Sequence, residues 1–403
     1  MILELIQNMC AKKKVLFVIP SFLHGGTIKS LSNLLPKLNE EVHEVDVYAI
    51  TPEGYYYNEI KENANILTSN GKSYRKESDG LISVKNYSNT LFTLMKGTKK
   101  ILERIGVDIS SIIFKRVARN LNKNYYDTVI AFQEGQATCF VSYLSCSKKI
   151  AWVRCDYANR LSYLKRYDLK YDERLYKNFH KIICVSNYTA TVFSDLFPSV
   201  KDKVETIHNV ISDEKIITKS KLEGESLKLF GEDCFNILSI GRIDLPKRFS
   251  IIPEIASSLA EKRMSFKWYI IGDVRNQDEY GLLINNILKY KMENYIVLLG
   301  EINNPYPYIA HTDLLVCTSS SEACPNVINE AKILHTPIVS TDFGSVYEYI
   351  EDGVTGLIAT VDNIAEKIML MIVNDHCYQK IRDEIGRFTY DNSEILKKVE
   401  EIL

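Results

Sequence analysis

Two doubly wound α/β domains built on parallel sheets are the fold class this sequence predicts. Short apolar runs alternate with amphipathic helical stretches along the whole chain, the pattern of successive β–α–β units. The rhythm lapses after His208-Asn209 and restarts with a new buried strand at Phe235. A chain of 403 residues is also too long for one ordinary core and long enough for two. These observations set an N-terminal domain at 1–211 and a second at 212–388, with ligands expected at the carboxyl ends of both sheets, in a cleft between the domains.

The first half opens with strand VLFVIP (Val15 to Pro20), a Gly25-Gly26 turn, and a helix carrying Ile28, Leu31, Leu34, Leu35 and Leu38. Pro36 should shorten or kink that helix, because proline lacks the amide the ladder needs. Strands are expected at Glu44 to Ile50, Asp127 to Phe132, Lys149 to Val153, Lys181 to Val185 and Lys203 to His208. The charged stretch from Ser212 to Asp233 shows little periodicity and reads as an interdomain linker. In the second half, FNILSIG (Phe235 to Gly241) is followed by a loop, a helix to Glu261 and the strand SFKWYIIG. A helix near Tyr280 to Tyr290, strand NYIVLLG, strand DLLVC (Asp313 to Cys317), and short strands at Ile338 to Ser340 and Leu357 to Ala359 complete it. The last segment, DNSEILKKVEEIL, starts with a capping box of Asp391 and Glu394 and lays Ile395, Leu396, Val399, Ile402 and Leu403 on one face.

Composition excludes several classes. An apolar content of 46% and a charged content of 25% are those of a soluble globular protein. A formal charge of −1 argues against a nucleic-acid binder. Nine scattered cysteines, without a CxxC pair or a Cys/His cluster, suit a reducing compartment. No apolar run is long enough to cross a bilayer, and the lysines of MILELIQNMCAKKK follow its apolar residues, the reverse of a secretory signal. The expected location is the cytoplasm. Between Lys96 and Lys123, eight lysines and arginines stand against two acids, interleaved with apolar residues. Such a basic amphipathic surface can sit peripherally on an anionic membrane; a solvated helix face is the alternative.

The most informative segment is SSSEACPNVINEAKILHTPIV, from Ser319 to Val339. Strand DLLVC leads into a polar loop, Pro325 suits a first helical turn, and Asn326 to Leu334 read as the helix. A helix start offers unpaired amides and partial positive charge, which suits a phosphate. Glu330, about one turn below Asn326, leans back toward that start and can meet a sugar diol. Glu322, in the loop, can reach a second polyhydroxylated group. The junction thus reads as a nucleotide-sugar site, against the alternative of two ordinary surface acids. In GRIDLPKR, Arg242 follows a strand and Lys247 and Arg248 precede a helix, a placement that can bind a diphosphate and stabilise charge on a leaving phosphate.

Gly25 and Gly26 permit close backbone approach to a ligand, but the turn is not GxGxxG and no acid ends the second strand, so a nicotinamide site is not expected. AFQEG and AWVRCD end two strands with polar groups, making Glu134, Arg154 and Asp156 candidate acceptor-side residues. A salt bridge of Arg154 with Asp156 or Glu134 is the structural alternative. His208-Asn209 either lines the cleft or caps the next segment.

With these residues in view, the chain resembles the retaining glycosyltransferases of group 1 (family four), which have two Rossmann-like domains facing each other across a cleft, the GT-B fold. The resemblance is carried by GRIDLPKR, WYIIGD and the segment from Asn303 to Ile358, where Glu322 and Glu330 fit an E-x7-E signature. HGG, AFQEG, AWVRCD and CVSNYTA extend it more loosely over the first half. It implies that Arg242 and Lys247 hold a donor diphosphate, Glu330 the ribose and Glu322 the donor sugar, beside the amides of Asn326 and Val327. Gly25 and Gly26 would approach the phosphates, and the helix within 389–403 would pack back on the first domain. No metal and no cofactor are implied, since two cations and a helix start supply the electrostatics. Arg154 departs from the pattern, for many relatives carry histidine there. GDVRNQ likewise replaces a glycine-rich step.

The implied activity is retaining, metal-independent transfer from a nucleotide-diphosphate sugar, a UDP-sugar, to a lipid-linked or saccharide acceptor, in cell-surface polysaccharide or capsule assembly. A catalytically inactive GT-B partner of another transferase and a nucleotide-sugar epimerase stand as alternatives.

Overall fold

The computed structural model describes residues 12–23, 25–69, 109–159, 169–222, 230–231 and 233–403. The chain divides into two compact units. Met1–Val185, Thr189–Val210 and Asn392–Leu403 form the first, and Ser186–Tyr188 with Ile211–Asp391 the second.

The first unit holds a seven-stranded sheet: β1 (Lys13–Ser21), β2 (His43–Thr51), β3 (Asn65–Ile66), β4 (Thr128–Ala131), β5 (Lys148–Val153), β6 (Lys181–Cys184) and β7 (Val204–Thr206). The second holds six strands: β8 (Phe235–Ile240), β9 (Phe266–Ile271), β10 (Ile296–Gly300), β11 (Leu314–Cys317), β12 (Ile338–Thr341) and β13 (Leu357–Ala359). Spatial order is β3-β2-β1-β4-β5-β6-β7 in one and β10-β9-β8-β11-β12-β13 in the other. Every strand pairing is parallel. Each sheet therefore starts in its middle, grows to one side and then reverses, the doubly wound topology. The expected α/β class, as two Rossmann-like sheets, is what the chain adopts.

Burial explains why the strands read so clearly. Helices cover both faces of such a sheet, so a central strand is apolar throughout rather than alternating. Val15 to Ile19 are all 0% exposed. On β9, Trp268 packs into one core with Phe249, Leu283 and Ile364, while its neighbour Tyr269 enters another with Ile309, Ile328 and Tyr349. Buried polar groups at the centre of this sheet bond to one another: the Trp268 indole donates to Ser239 Oγ (3.0 Å), which donates to the Val316 carbonyl (2.7 Å). That chain ties β9, β8 and β11 together. Pro36 acts as expected, since helix α1 (Gly26–Leu34) gives way to a 3₁₀ turn over Leu35–Lys37.

Two expectations need correction. The stretch read as a linker contains helix α2 (Asp213–Ser220), with Ser212 Oγ accepting from the Lys215 amide and acids in the first turn. Ser-Asp-Glu is an N-terminal signal that overrides weak periodicity. Ile211 and Ile216 enter the second unit's core, and the Asn304 amide donates to the Lys219 carbonyl (2.9 Å). The capping box of Asp391 and Glu394 does not form. Asn392 is the N-cap of helix Ser393–Ile402, it keeps helix-like angles, and it makes no side-chain cap. A box needs an extended N-cap residue whose side chain can turn back. The helix is held to the first sheet at its far end: Glu400 Oε2 meets His43 Nε2 (2.6 Å) and Thr128 Oγ1 donates to the Leu403 carbonyl (2.9 Å).

Of the basic segment from Lys96 to Lys123, the part up to Asp108 lies outside the described residues. The cysteines that are described form no disulfide.

Helix Asn326–Ile333 buries an amine. Lys332 Nζ donates to the Tyr349 carbonyl (3.0 Å) and sits 3.9 Å from the centre of the Phe388 ring. Burial pulls its pKa down to about 8 from the ordinary 10.5. Between those values the unfolded chain binds more protons than the folded one, so this group's contribution to stability rises with pH. In urea titrations from pH 7 to 10, wild type should gain stability relative to Lys332→Met as pH climbs; a difference independent of pH would contradict this.

Candidate functional site

In the second sheet, strand order reverses between β8 and β11, and doubly wound folds bind ligands at the carboxyl ends of the strands at such a point. Two of the residues singled out from the sequence, Lys247 and Glu322, meet there. Lys247, from the loop after β8, pairs with Glu322 Oε1, from the loop after β11, and Ser319 Oγ donates to that same oxygen (2.8 Å). Burial alone would lower the lysine's pKa, but Glu322 and Cys317 together more than offset it, so Lys247 stays charged to above the ordinary lysine range. The ion pair is mostly shielded, with side-chain exposures of 15% and 17%. It acts through a lower effective dielectric than a surface pair would.

Further bonds fix the two loops to each other. Thr318 Oγ1 donates to the Lys247 carbonyl (2.8 Å), and the Ser320 amide to the Pro246 carbonyl (2.7 Å). Arg248, grouped with Lys247 in the sequence reading, sends Nε to the Thr318 carbonyl and Nη2 to the Ser319 carbonyl (3.1 Å each). It clamps the loops. From the other side, Thr341 Oγ1 reaches the Ser319 carbonyl (2.5 Å) and Ser345 Oγ the Glu322 carbonyl (2.7 Å). Arg242 is over half exposed and pairs through Nη2 with Asp244 Oδ2 (3.1 Å).

Glycine has a steric role here. A Cβ on Gly241 would lie 2.8 Å from Lys247 Cε, so the lysine crosses directly over that residue. A Cβ on Gly272, at the end of β9, would lie 1.7 Å from the Gly241 carbonyl oxygen. The loop after β9, whose GDVRNQ sequence lacks a glycine-rich step, is bound to the loop after β8 by its main chain. Ile243 donates to the Asp273 carbonyl (2.8 Å), and Arg275 and Asn276 donate to the Ile243 carbonyl (3.1 and 3.0 Å).

Helix Asn326–Ile333 starts where expected, with Pro325 at the N-cap position rather than inside the first turn. The Asn326 amide already bonds to the Cys324 carbonyl (3.0 Å), so of the two amides expected to meet a ligand, Asn326 and Val327, the first serves the loop. Glu330 lies on this helix and is only 5% exposed.

The first unit gathers a second polar group at the ends of its strands. Glu134, after β4, accepts the Arg154 main-chain amide (2.9 Å). The Arg154 guanidinium stacks on Phe132 (3.8 Å), donates through Nε to the Phe132 carbonyl (3.0 Å) and through Nη1 to Asn209 Oδ1 (2.6 Å). Ser30 Oγ of α1 donates to the same Asn209 oxygen (3.1 Å). Asp156 accepts the Ala158 amide (3.0 Å) and so shapes the turn that follows. Gly25 is the N-cap of α1, and a Cβ there would meet nothing within 4 Å; Gly26 opens the helix. Sequence reasoning missed Asp244, Ser319 and the clamp by Arg248. A serine or an arginine in a polar loop carries no periodic or spacing signal. Among the described residues, no three of His, Cys, Asp and Glu lie close enough to hold a metal ion. No helix described is long and apolar enough to cross a membrane.

Two doubly wound parallel sheets in one chain, and the likeness to solved structures given below, are those of the GT-B class. Residues 234–374 match the family model described as Glycosyl transferases group 1. The second unit is accordingly a group 1 glycosyltransferase domain in a chain of GT-B fold. The Campylobacter jejuni N-acetylgalactosamine-N,N'-diacetylbacillosaminyl-diphospho-undecaprenol 4-alpha-N-acetylgalactosaminyltransferase is 33% identical over 40% of this chain and 41% of its own. An uncharacterised glycosyltransferase of Methanocaldococcus jannaschii is 25% identical over 91% of this chain and 90% of its own. The chain spans only 42% and 41% of the curated relatives it matches at 30% and 33% identity. Among solved structures, Anabaena HepE in complex with UDP and glucose superposes with a TM-score of 0.72 at 16% identity, over 96% of this chain and 98% of that one.

Because the Gly272 contact is with main chain, Gly272→Ala should force the loops after β8 and β9 apart. Thermal unfolding should fall by several degrees, the size expected for a backbone clash of 1–3 kcal/mol in a domain of this size. An unchanged melting temperature would show that the loops separate freely.

Proposed function

We propose that the protein is a glycosyltransferase that moves a sugar from a nucleotide-diphosphate sugar, a UDP-sugar, to a saccharide or lipid-linked acceptor in cell-surface polysaccharide assembly. The observation that carries this reading is the Lys247–Glu322 pair at the β8/β11 reversal point. Lys247 and Arg242 supply positive charge where a diphosphate would lie, and Glu322 and Glu330 supply acceptors for sugar and ribose hydroxyls. UDP as donor is supported by the HepE complex, and an undecaprenol-linked acceptor by the name of the Campylobacter relative. Peripheral membrane contact through the basic stretch 96–123 would accord with such an acceptor.

Transfer proceeds with retention and without a metal in this proposal. The acceptor hydroxyl attacks the anomeric carbon on the face the diphosphate leaves; the carbon–oxygen bond to phosphate breaks, the new glycosidic bond forms, and the departing phosphate oxygen takes the hydroxyl proton. That route asks the protein for positioning and for charge on the leaving group rather than for a nucleophile. Lys247 is the residue suited to the second task. Glu134, Arg154 and Asp156 are proposed for the acceptor side.

Donor screening by release of nucleoside diphosphate, followed by Lys247→Ala and Glu322→Gln, tests the reading. Each variant should lose at least about a hundredfold in turnover, the scale of losing one charge-stabilising group, while melting as a folded protein. The product's anomeric configuration, read by NMR, should match the donor's. Undiminished turnover in both variants would remove the site from the mechanism. A wild-type protein that binds donor without transfer would favour the inactive-partner reading, and an altered sugar formed without acceptor would favour the epimerase.

A further inference from the structure

Both cations of the proposed diphosphate site already hold carboxylates of this chain: Lys247 holds Glu322 and Arg242 holds Asp244. These four groups sum to no net charge, so an entering pair of ionised phosphates has to displace an acid. The two acids differ in how they are fixed. Glu322 keeps a second partner, the Ser319 hydroxyl, if Lys247 turns away. Asp244 pairs with Arg242 through Oδ2 and also feels the Lys247 amide and charge, while its other oxygen, Oδ1, is buried with no hydrogen-bond partner among the described residues. Burial also lifts the Asp244 carboxyl above its ordinary range, against the pull of Arg242 and Lys247. Stripped of Arg242, that carboxylate would be left shielded and poorly compensated, so it competes for the cation rather than releasing it freely. The turn it sits in does not need the carboxylate, because Lys247 and Arg248 donate their amides to the Asp244 main-chain carbonyl (3.1 and 3.4 Å).

We propose that Asp244 is an internal counter-ion, competing with the donor's diphosphate for Arg242 and so limiting how tightly nucleotide is held. This rests on the donor-site reading above and gives that site a device for release. Before donor arrives, Asp244 occupies Arg242. When the phosphates enter, Arg242 exchanges one anion for another. After transfer, the returning carboxylate helps expel the nucleoside diphosphate.

The test is calorimetric titration of wild type, Asp244→Asn and Asp244→Ala with UDP and with uridine, each protein first checked by thermal unfolding. Removing the competing charge should tighten UDP binding by about tenfold, or about 1.4 kcal/mol, and leave uridine unchanged. In an Arg242→Ala background the gain should vanish, because the two residues act through each other. If UDP binds Asp244→Asn equally or more weakly than wild type, Asp244 orients Arg242 or is inert, and the counter-ion role is overturned. If Asn alone unfolds the loop, the Ala variant is read by the same criterion. A wild-type protein that binds none of UDP, GDP and ADP overturns the donor-site reading, and this inference with it.

Discussion

Lys247 and Glu322 hold each other across the point where the second sheet reverses its strand order, and much of the surrounding architecture serves to keep them there. Neither residue belongs to a strand or helix, so their positions depend on the loops. Those loops are held in turn by Arg248 on the Thr318 and Ser319 carbonyls, by Thr341 and Ser345 from beneath, and by glycines that let main chains nearly touch. The pair is shielded enough that its attraction is stronger than a surface ion pair's, yet each member keeps some exposure to a solute.

The two units solve similar problems with different chemistry. In the second, charged side chains face charged side chains at the strand ends. In the first, the partners of Arg154 include neutral acceptors, the Phe132 carbonyl and the Asn209 amide oxygen, and the face of Phe132.

Much of the strand framework could be read from the sequence because its strands are buried on both sides: VLFVI and FNILSI have few physical alternatives. Lys247 and Glu322 could be read because a cation and an acid each follow a strong strand. What escaped reading was set by tertiary contacts. Asp244 is one acid among 51 aspartates and glutamates, and only the folded loop shows that one of its oxygens lacks a partner. The helix at Asp213–Ser220 was hidden because its apolar residues are few and its identity rests on a cap. Asp391 misled for the opposite reason, since a matching spacing cannot say which residue will take the extended conformation that a box requires.

The loop after β9 is attached to the rest of its unit by main-chain groups: the amides and carbonyls of Ile243, Asp273, Arg275 and Asn276, and the close pass of Gly272 over Gly241. Main-chain bonds are indifferent to side-chain identity. Val274 and Arg275 can accordingly be exchanged for other residues while the ribbon that carries them stays put. This makes the stretch a natural place to diversify without disturbing the fold.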